Sequence, residues 1–147
     1  MIYIFDIDGT LADLSHRLHF IQQDPKDWRG FFAACTGDSS IEDIAYFARL
    51  LHDSGQSIIL VSGRSDEVEE QTIEWLRQNF IPFKDIYMRK AGDYREDSIV
   101  KAELLDQLLE DWMEDGKPAV VFEDRQRVVD MYRARGLRVF QVAPGNF

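Results

Sequence analysis

"IYIFDIDGTLAD", residues 2–13, decides the fold. Ile2 to Phe5 is an apolar run too short for a helix, and it leads into two acids one residue apart, Asp6 and Asp8, followed at once by Gly9 and Thr10. Such a run predicts a short strand buried on both faces, as in a parallel sheet. The carboxyl end of that strand then carries Asp6 and Asp8, and strand carboxyl ends are where open α/β sheets bind their ligands.

The same pattern recurs along the chain. "SIILVSGR" predicts a second buried strand, Ser57 to Val61, ending in Ser62, Gly63 and Arg64; Asp85 to Met88 is a short third. "AVVFED" is again apolar and then acidic, and leads through Glu123 and Asp124 to Arg125; Arg138 to Val142 is the last strand. Between them the apolar residues fall at helical spacing. Ile41, Ile44, Ala45, Ala48 and Leu51 form one face, with Ser39 and Ser40 ahead of it, Glu42 and Asp43 in capping-box positions and Gly55 as the stop. Asp66 to Asn79 is a second helix. Asp97 to Asp115 is the longest, with Val100, Leu104, Leu105, Leu108 and Trp112 in register and Gly116 and Pro118 beyond. A further helix runs from Arg125 to Arg135 before Gly136. Five strands alternating with helices predict an α/β, three-layer Rossmann-like domain with a parallel five-stranded sheet spanning residues 1–147. His16 to Gly37 is aromatic-rich and without a clean period, so residues 13–37 are expected to form a small cap-like helical insert after the first strand. Trp28, Phe31 and Phe32 there are read as packing residues. Neither a Gly-x-Gly-x-x-Gly after the first strand nor a phosphate loop is present, which argues against a dinucleotide-binding or P-loop domain.

The 147 residues hold 17 Lys and Arg against 27 Asp and Glu, a formal net charge of -10. The overall field therefore does not attract nucleic acid or anionic membranes, and binding a polyanion needs a local basic set such as Arg17, Arg64 and Arg125. Cys35 is the sole cysteine, which fits a reducing compartment. No basic leader or apolar run of ~20 residues is present, so the expected location is cytoplasmic, with no membrane partner.

In a parallel sheet the ends of the first, second and fourth strands face one crevice. Several carboxylates gathered there repel one another unless a cation neutralises them, and an oxygen-only ligand set suits Mg2+. Ser62 can donate a hydrogen bond to a phosphoryl oxygen, and Lys101, near the start of the longest helix, can balance charge during phosphoryl transfer. His16, His19 and His52 share no metal-ligand spacing and are given no catalytic role.

"DIDGTLAD" resembles the Asp-x-Asp-Gly-Thr signature of the haloacid dehalogenase (HAD) superfamily, "VSGR" its second motif, Lys101 its third and "FEDR" its acidic fourth, in order along nearly the whole chain. A closer similarity is to the 3'-phosphatase domain of phage polynucleotide kinase. It rests on "DGTLAD" with Arg17 nine residues after Asp8, on "GDYREDSIVKAEL", and on "EDRQRVVDMYRARGLRVFQVAPGNF" with its closing Gly-Asn-Phe. The resemblance implies an HAD-like sheet with strand order 3-2-1-4-5 in order of appearance. It implies a phosphatase in which Asp6 forms an aspartyl phosphate, Asp8 acts as acid and then base, and Lys101 assists. Thr10, Arg17, Ser62, Gly63, Arg64, Asp97 and Arg125 would contact substrate or phosphate. Asp6, Asp8, Asp124 and Glu123 would hold Mg2+, Asp124 directly and Glu123, which replaces an aspartate, from the outer shell. The implied substrates are 3'-phosphates of polynucleotide ends or nucleotides. A broad small-molecule phosphomonoesterase is the alternative; a non-catalytic phosphate-binding module would not need Asp6, and a mutase would need a larger closing cap. The kinase half of that enzyme has no counterpart in these residues.

Overall fold

The computed structural model describes residues 1–118 and 120–147. Ala119, expected to open the fourth strand, lies outside the described residues. A five-stranded sheet is built from β1 (Ile2–Phe5), β4 (Ser57–Ser65), β5 (Asp85–Arg89), β6 (Val120–Glu123) and β7 (Val139–Gln141). All neighbours are parallel and the spatial order is β5-β4-β1-β6-β7, which is 3-2-1-4-5 in order of appearance.

Residue parity along the strands builds the three layers. Ile2 and Ile4 of β1, Ile59 and Val61 of β4 and Val121 of β6 pack on one side with Leu105 and Leu108 of α5 (Asp97–Asp111) and Val128, Val129 and Tyr132 of α6 (Gln126–Ala134). The intervening Phe5, Ile58, Leu60 and Phe122 pack on the other side with Ala45 and Ala48 of α3 (Glu42–Asp53) and Trp75 and Leu76 of α4 (Glu69–Gln78). This is the period of two that makes a doubly covered strand read as continuously apolar. Phe5 and Phe122, register partners on β1 and β6, stack with ring centroids 4.3 Å apart.

Several boundaries move relative to the sequence reading. The second strand continues four residues past Val61 to Ser65, with a register irregularity between Ser62 and Ser65 that carries the backbone around the site. A 3-10 turn, Asp66–Val68, precedes α4, and another, Met113–Asp115, follows α5 where one long helix was expected. Ser39 and Ser40 do not cap α3. They form β3 (Ser39–Ser40), antiparallel to β2 (Ala12–Asp13), and the N-cap position falls to Ile41 with no side-chain cap, while Ser40 Oγ donates to Glu42 Oε2 at 2.6 Å. Between β2 and β3 the chain makes short helical pieces, Ser15–Arg17, α1 (His19–Gln22), α2 (Trp28–Ala33) and Ala34–Gly37. Leu14, Ile21 and Phe31 form a small core of their own there, and Phe32 and Cys35 pack against Val68 and Met88. Among the described residues no helix is long and apolar enough to cross a membrane.

Leu105 is fully buried where α5 meets the sheet. Leu105→Ala is expected to lower unfolding free energy by about 2–5 kcal/mol, read from the midpoint and slope of urea denaturation. A change below about 1 kcal/mol would mean that α5 is not held by this core.

Candidate active site

The parity of β1 persists for three residues past its end. Phe5 and Ile7 are in the core facing α3 and α4, and Asp6 and Asp8 line a cavity of about 340 Å³ at the carboxyl end of the sheet. A tight turn makes the exit possible: the Ile7 carbonyl accepts from the backbone N–H groups of Thr10, Leu11 and Ala12 at 3.2, 2.8 and 2.8 Å. Gly9 sits in that turn at φ +83, and a Cβ built on it would lie 2.1 Å from Asp124 Oδ2. Only glycine satisfies both the backbone conformation and the approach of β1 to the end of β6.

Lys101 organises the floor. It lies in the second turn of α5 and is 1% exposed, with Nζ donating to Asp6 Oδ1 and Glu123 Oε2 at 2.8 Å each and 3.5 Å from Asp97 Oδ2. Burial alone would strip its proton; the carboxylates of Asp6, Asp97 and Glu123 outweigh burial and hold it charged. Glu123 is fully used: its other oxygen accepts from the backbone N–H groups of Asp124 and Arg125 at 3.0 and 3.1 Å. Asp124 is not. Its Oδ1 is buried without a hydrogen-bond partner, and burial together with the neighbouring Glu123 raises its pKa to about 7. Burial and Glu123 likewise push Asp6 well up, against the pull of Lys101. Ligand atoms of Asp6, Glu123 and Asp124 lie within 4.8 Å of one another. An unpartnered carboxylate oxygen among three close acids with a single ammonium could hold a hard divalent cation. Asp8 was expected in the same set and is not in it. Its Oδ1 accepts from Arg17 Nη2 at 2.6 Å and from Arg64 Nη2 and Nε at 2.8 and 3.0 Å. Burial would raise its pKa, and the guanidinium groups of Arg64 and Arg17 overcome burial and hold it at about 2.

The structure therefore reassigns the expected basic patch. Arg17 and Arg64 have no exposed surface and do not line the cavity, so they do not meet a polyanion from solvent; they clamp Asp8 from behind. Arg125 alone of the three lines the cavity, with Nη2 donating to the Phe147 carbonyl at 2.9 Å, its guanidinium 4.2 Å over the Phe147 ring, and Nη1 3.7 Å from Asp97 Oδ2. Gly63 lines the cavity, and a Cβ there would lie 2.0 Å from Asp97 Oδ1. Ser62 and Thr10 are buried and off the cavity wall: Ser62 Oγ accepts from Arg64 N at 3.1 Å, and Thr10 Oγ1 has no partner.

Two residues went unmarked in the sequence. Arg89, at the end of β5, lines the cavity and ties its wall together, donating to the carbonyls of Gly63, Asp93 and Arg95 and to Asp97 Oδ1. Its place at a strand end was the available signal. Asp38 joins Arg17, Arg64 and His16. It reads as a turn residue in "TGDSS", and nothing local distinguishes it.

Solved structures place this arrangement among known folds. The chain is similar to one in the Pnkp1/Rnl/Hen1 complex, at 32% identity over 99% of this chain and 46% of that one, with a TM-score of 0.80. It is also similar to one in the Pnkp1/Rnl/Hen1 RNA repair complex, at 30% identity over 99% and 43%, with a TM-score of 0.78. This chain thus spans less than half the length of those two. A class C acid phosphatase from Bacillus anthracis shares the fold at 16% identity over 99% and 67%, TM-score 0.70. The family model sets the class as a phosphatase domain of the HAD type. The model for the polynucleotide kinase PNKP phosphatase domain matches residues 1–147, and the chain belongs to that family.

Gly9→Ala is expected to push Asp124 aside and to strain the turn, lowering turnover of a phosphate monoester by about tenfold or more and stability by about 1–3 kcal/mol. Steady-state rates and a thermal melt check both, and wild-type turnover in a folded Gly9→Ala protein would contradict the close packing of Gly9 on Asp124.

Proposed function

We propose that this domain removes 3'-phosphates from polynucleotide ends or nucleotides, with Mg2+ as cofactor and an aspartyl phosphate on Asp6 as intermediate. The observation that carries the chemistry is the pairing of Asp6 and Asp8 in one cavity with opposite surroundings, one carboxylate beside an ammonium and the other clamped by two guanidinium groups. Residues 13–37 act as a small cap whose Trp28, Phe31 and Phe32 form an apolar wall.

In this reading Lys101 orients Asp6 so that one carboxylate oxygen attacks phosphorus while the bond to the ester oxygen breaks. Asp8 starts as a carboxylate; phosphoryl oxygens arriving beside it raise its proton affinity, so it enters the reaction protonated. It gives that proton to the departing ester oxygen, producing the alcohol. It then takes a proton from the water that attacks the aspartyl phosphate, which releases inorganic phosphate and restores Asp6. Asp6 and Asp124 would hold Mg2+, with Glu123 behind them, and the ion would supply charge neutralisation to the transferring phosphoryl group. Arg125 and the strand end at Gly63 would hold the phosphate, with Arg89 bracing Asp97 and Gly63.

The nucleic-acid substrate is supported by the family and by relatives that belong to an RNA repair complex. A broad small-molecule phosphomonoesterase is favoured by a separate observation: the chain carries a net charge of -10, Arg17 and Arg64 are buried, and Arg95 at the cavity is already paired with Asp93 and Glu103.

Asp6→Asn removes the attacking oxygen, and its turnover is expected to fall to background while the fold persists by circular dichroism. Chelation should abolish wild-type activity, Mg2+ should restore it, and Ca2+ should restore it poorly because its looser coordination misplaces the phosphoryl group. Full activity after exhaustive chelation would refute the metal assignment.

Substrate choice is read by comparing 3'- and 5'-phosphorylated oligonucleotides, the matching mononucleotides and an aryl phosphate at two salt concentrations. The expected result is selectivity for 3'-phosphates, weaker at high salt for the oligonucleotides. Absence of 3'-selectivity at either salt would leave the small-molecule reading standing.

A further inference from the structure

We propose that Asp38 is a positioning residue for the reaction: it sets where the Asp8 carboxylate stands by holding Arg17 and Arg64 together on the side away from the cavity. The proposal rests on the reading of Asp8 as proton donor to the departing oxygen. Arg17 grips Asp38 with two bonds, Nε to Oδ1 at 2.8 Å and Nη2 to Oδ2 at 2.7 Å, and reaches Asp8 with the same Nη2. Arg64 Nη2 likewise bridges the two acids, at 2.9 Å to Asp38 Oδ2 and 2.8 Å to Asp8 Oδ1. The side chains of Asp38, Arg17 and Arg64 are fully buried.

Two guanidinium groups this close repel each other, and one carboxylate neutralises only one of them. Asp38 supplies the second negative charge and, through its bidentate grip, the orientation. Its own location is set by distant parts of the chain. The Asp38 carbonyl accepts from Trp75 Nε1 of α4 at 2.8 Å, its N–H donates to the Cys35 carbonyl at 3.2 Å, and β3 begins one residue later. His16 Nε2 stands 2.7 Å from Asp38 Oδ1 and completes the set of partners. Every arginine bond falls on Asp8 Oδ1 and none on Oδ2. The network thus fixes one oxygen of Asp8 and keeps the other for the proton that passes to the ester oxygen as the P–O bond breaks. Moving Asp38 swings both arginines and, with them, the proton.

The test uses the dependence of proton donation on the leaving group. A sugar hydroxyl departs poorly without a proton, and an aryl oxide departs readily without one. Asp38→Asn and Asp38→Glu are compared with wild type and Asp8→Asn on a nucleoside 3'-phosphate and on p-nitrophenyl phosphate, with circular dichroism and a thermal melt on each. Asp38→Glu keeps the charge and shifts the carboxylate by a methylene, so it remains informative where Asp38→Asn does not fold. Read in the first turnover, before the hydrolysis step that both substrates share, the expected result is a loss of about 10²-fold in the rate of nucleoside release, with the rate of p-nitrophenolate release and both half-saturating substrate concentrations within about threefold of wild type. Equal losses on both substrates in a folded Asp38 variant, or no loss on either, would overturn the proposal. If Asp8→Asn shows the selective loss and folded Asp38 variants do not, Asp38 alone is wrongly assigned. If Asp8→Asn loses equally on both substrates, the role of Asp8 fails and takes this proposal with it.

Discussion

The buried ammonium of Lys101 is the constraint on which the rest of the site depends. Three carboxylates, on Asp6, Asp97 and Glu123, lie within 3.5 Å of a nitrogen whose side chain is 1% exposed. Removing any one charge from water costs several kcal/mol, so none of these groups is tolerable without the others. Since they come from the end of β1, the start of α5 and the end of β6, the ammonium also fixes how those elements meet. The two glycines follow from the same crowding. Gly9 gives room to Asp124 and Gly63 gives room to Asp97, because the acids must come closer to the backbone than a Cβ allows.

A second charge system stands beside the first and shares no residue with it. Arg17, Arg64, Asp38 and Asp8 balance two positive charges against two negative ones, almost without water. Asp6 and Asp8 are two residues apart, yet burial and Glu123 raise the proton affinity of one while arginines lower that of the other. Splitting equivalent carboxylates in this way lets two aspartates take different roles. The separation comes from Ile7, whose side chain is held in the core between them.

The helical insert between β2 and β3 has two functions in the architecture. It lines the cavity with Trp28, Phe31 and Phe32, and it delivers Arg17 and Asp38 from its two ends to the back of Asp8. The short β2–β3 ladder brings those ends together, and Arg17 lies under the Phe31 ring at 4.4 Å, which joins the apolar wall to the charged network.

The alternation of strands and helices, the parallel sheet and the gathering of Asp6, Asp8, Lys101, Glu123 and Asp124 at the carboxyl end of that sheet were legible in the sequence. The reason is local: an apolar run covered on both faces and ending in acids has few other readings, and helical spacing needs only neighbours along the chain. The expected cap of Ser39 and Ser40 failed because β2, twenty-six residues away, offered the backbone a ladder that a local pattern cannot register. Arg17 and Arg64 were visible as cations but not as buried ones, since burial is a property of what surrounds a side chain. Asp38 and Arg89 were invisible for the same reason: each gains its meaning from partners that lie far along the chain, Arg64 and Trp75 for one, Gly63 for the other. The sequence by itself determined which charged groups the protein contains and which strand ends carry them. Only the tertiary structure decided which cation faces which carboxylate, because that pairing depends on distances and on the exclusion of water, and both arise when the sheet closes.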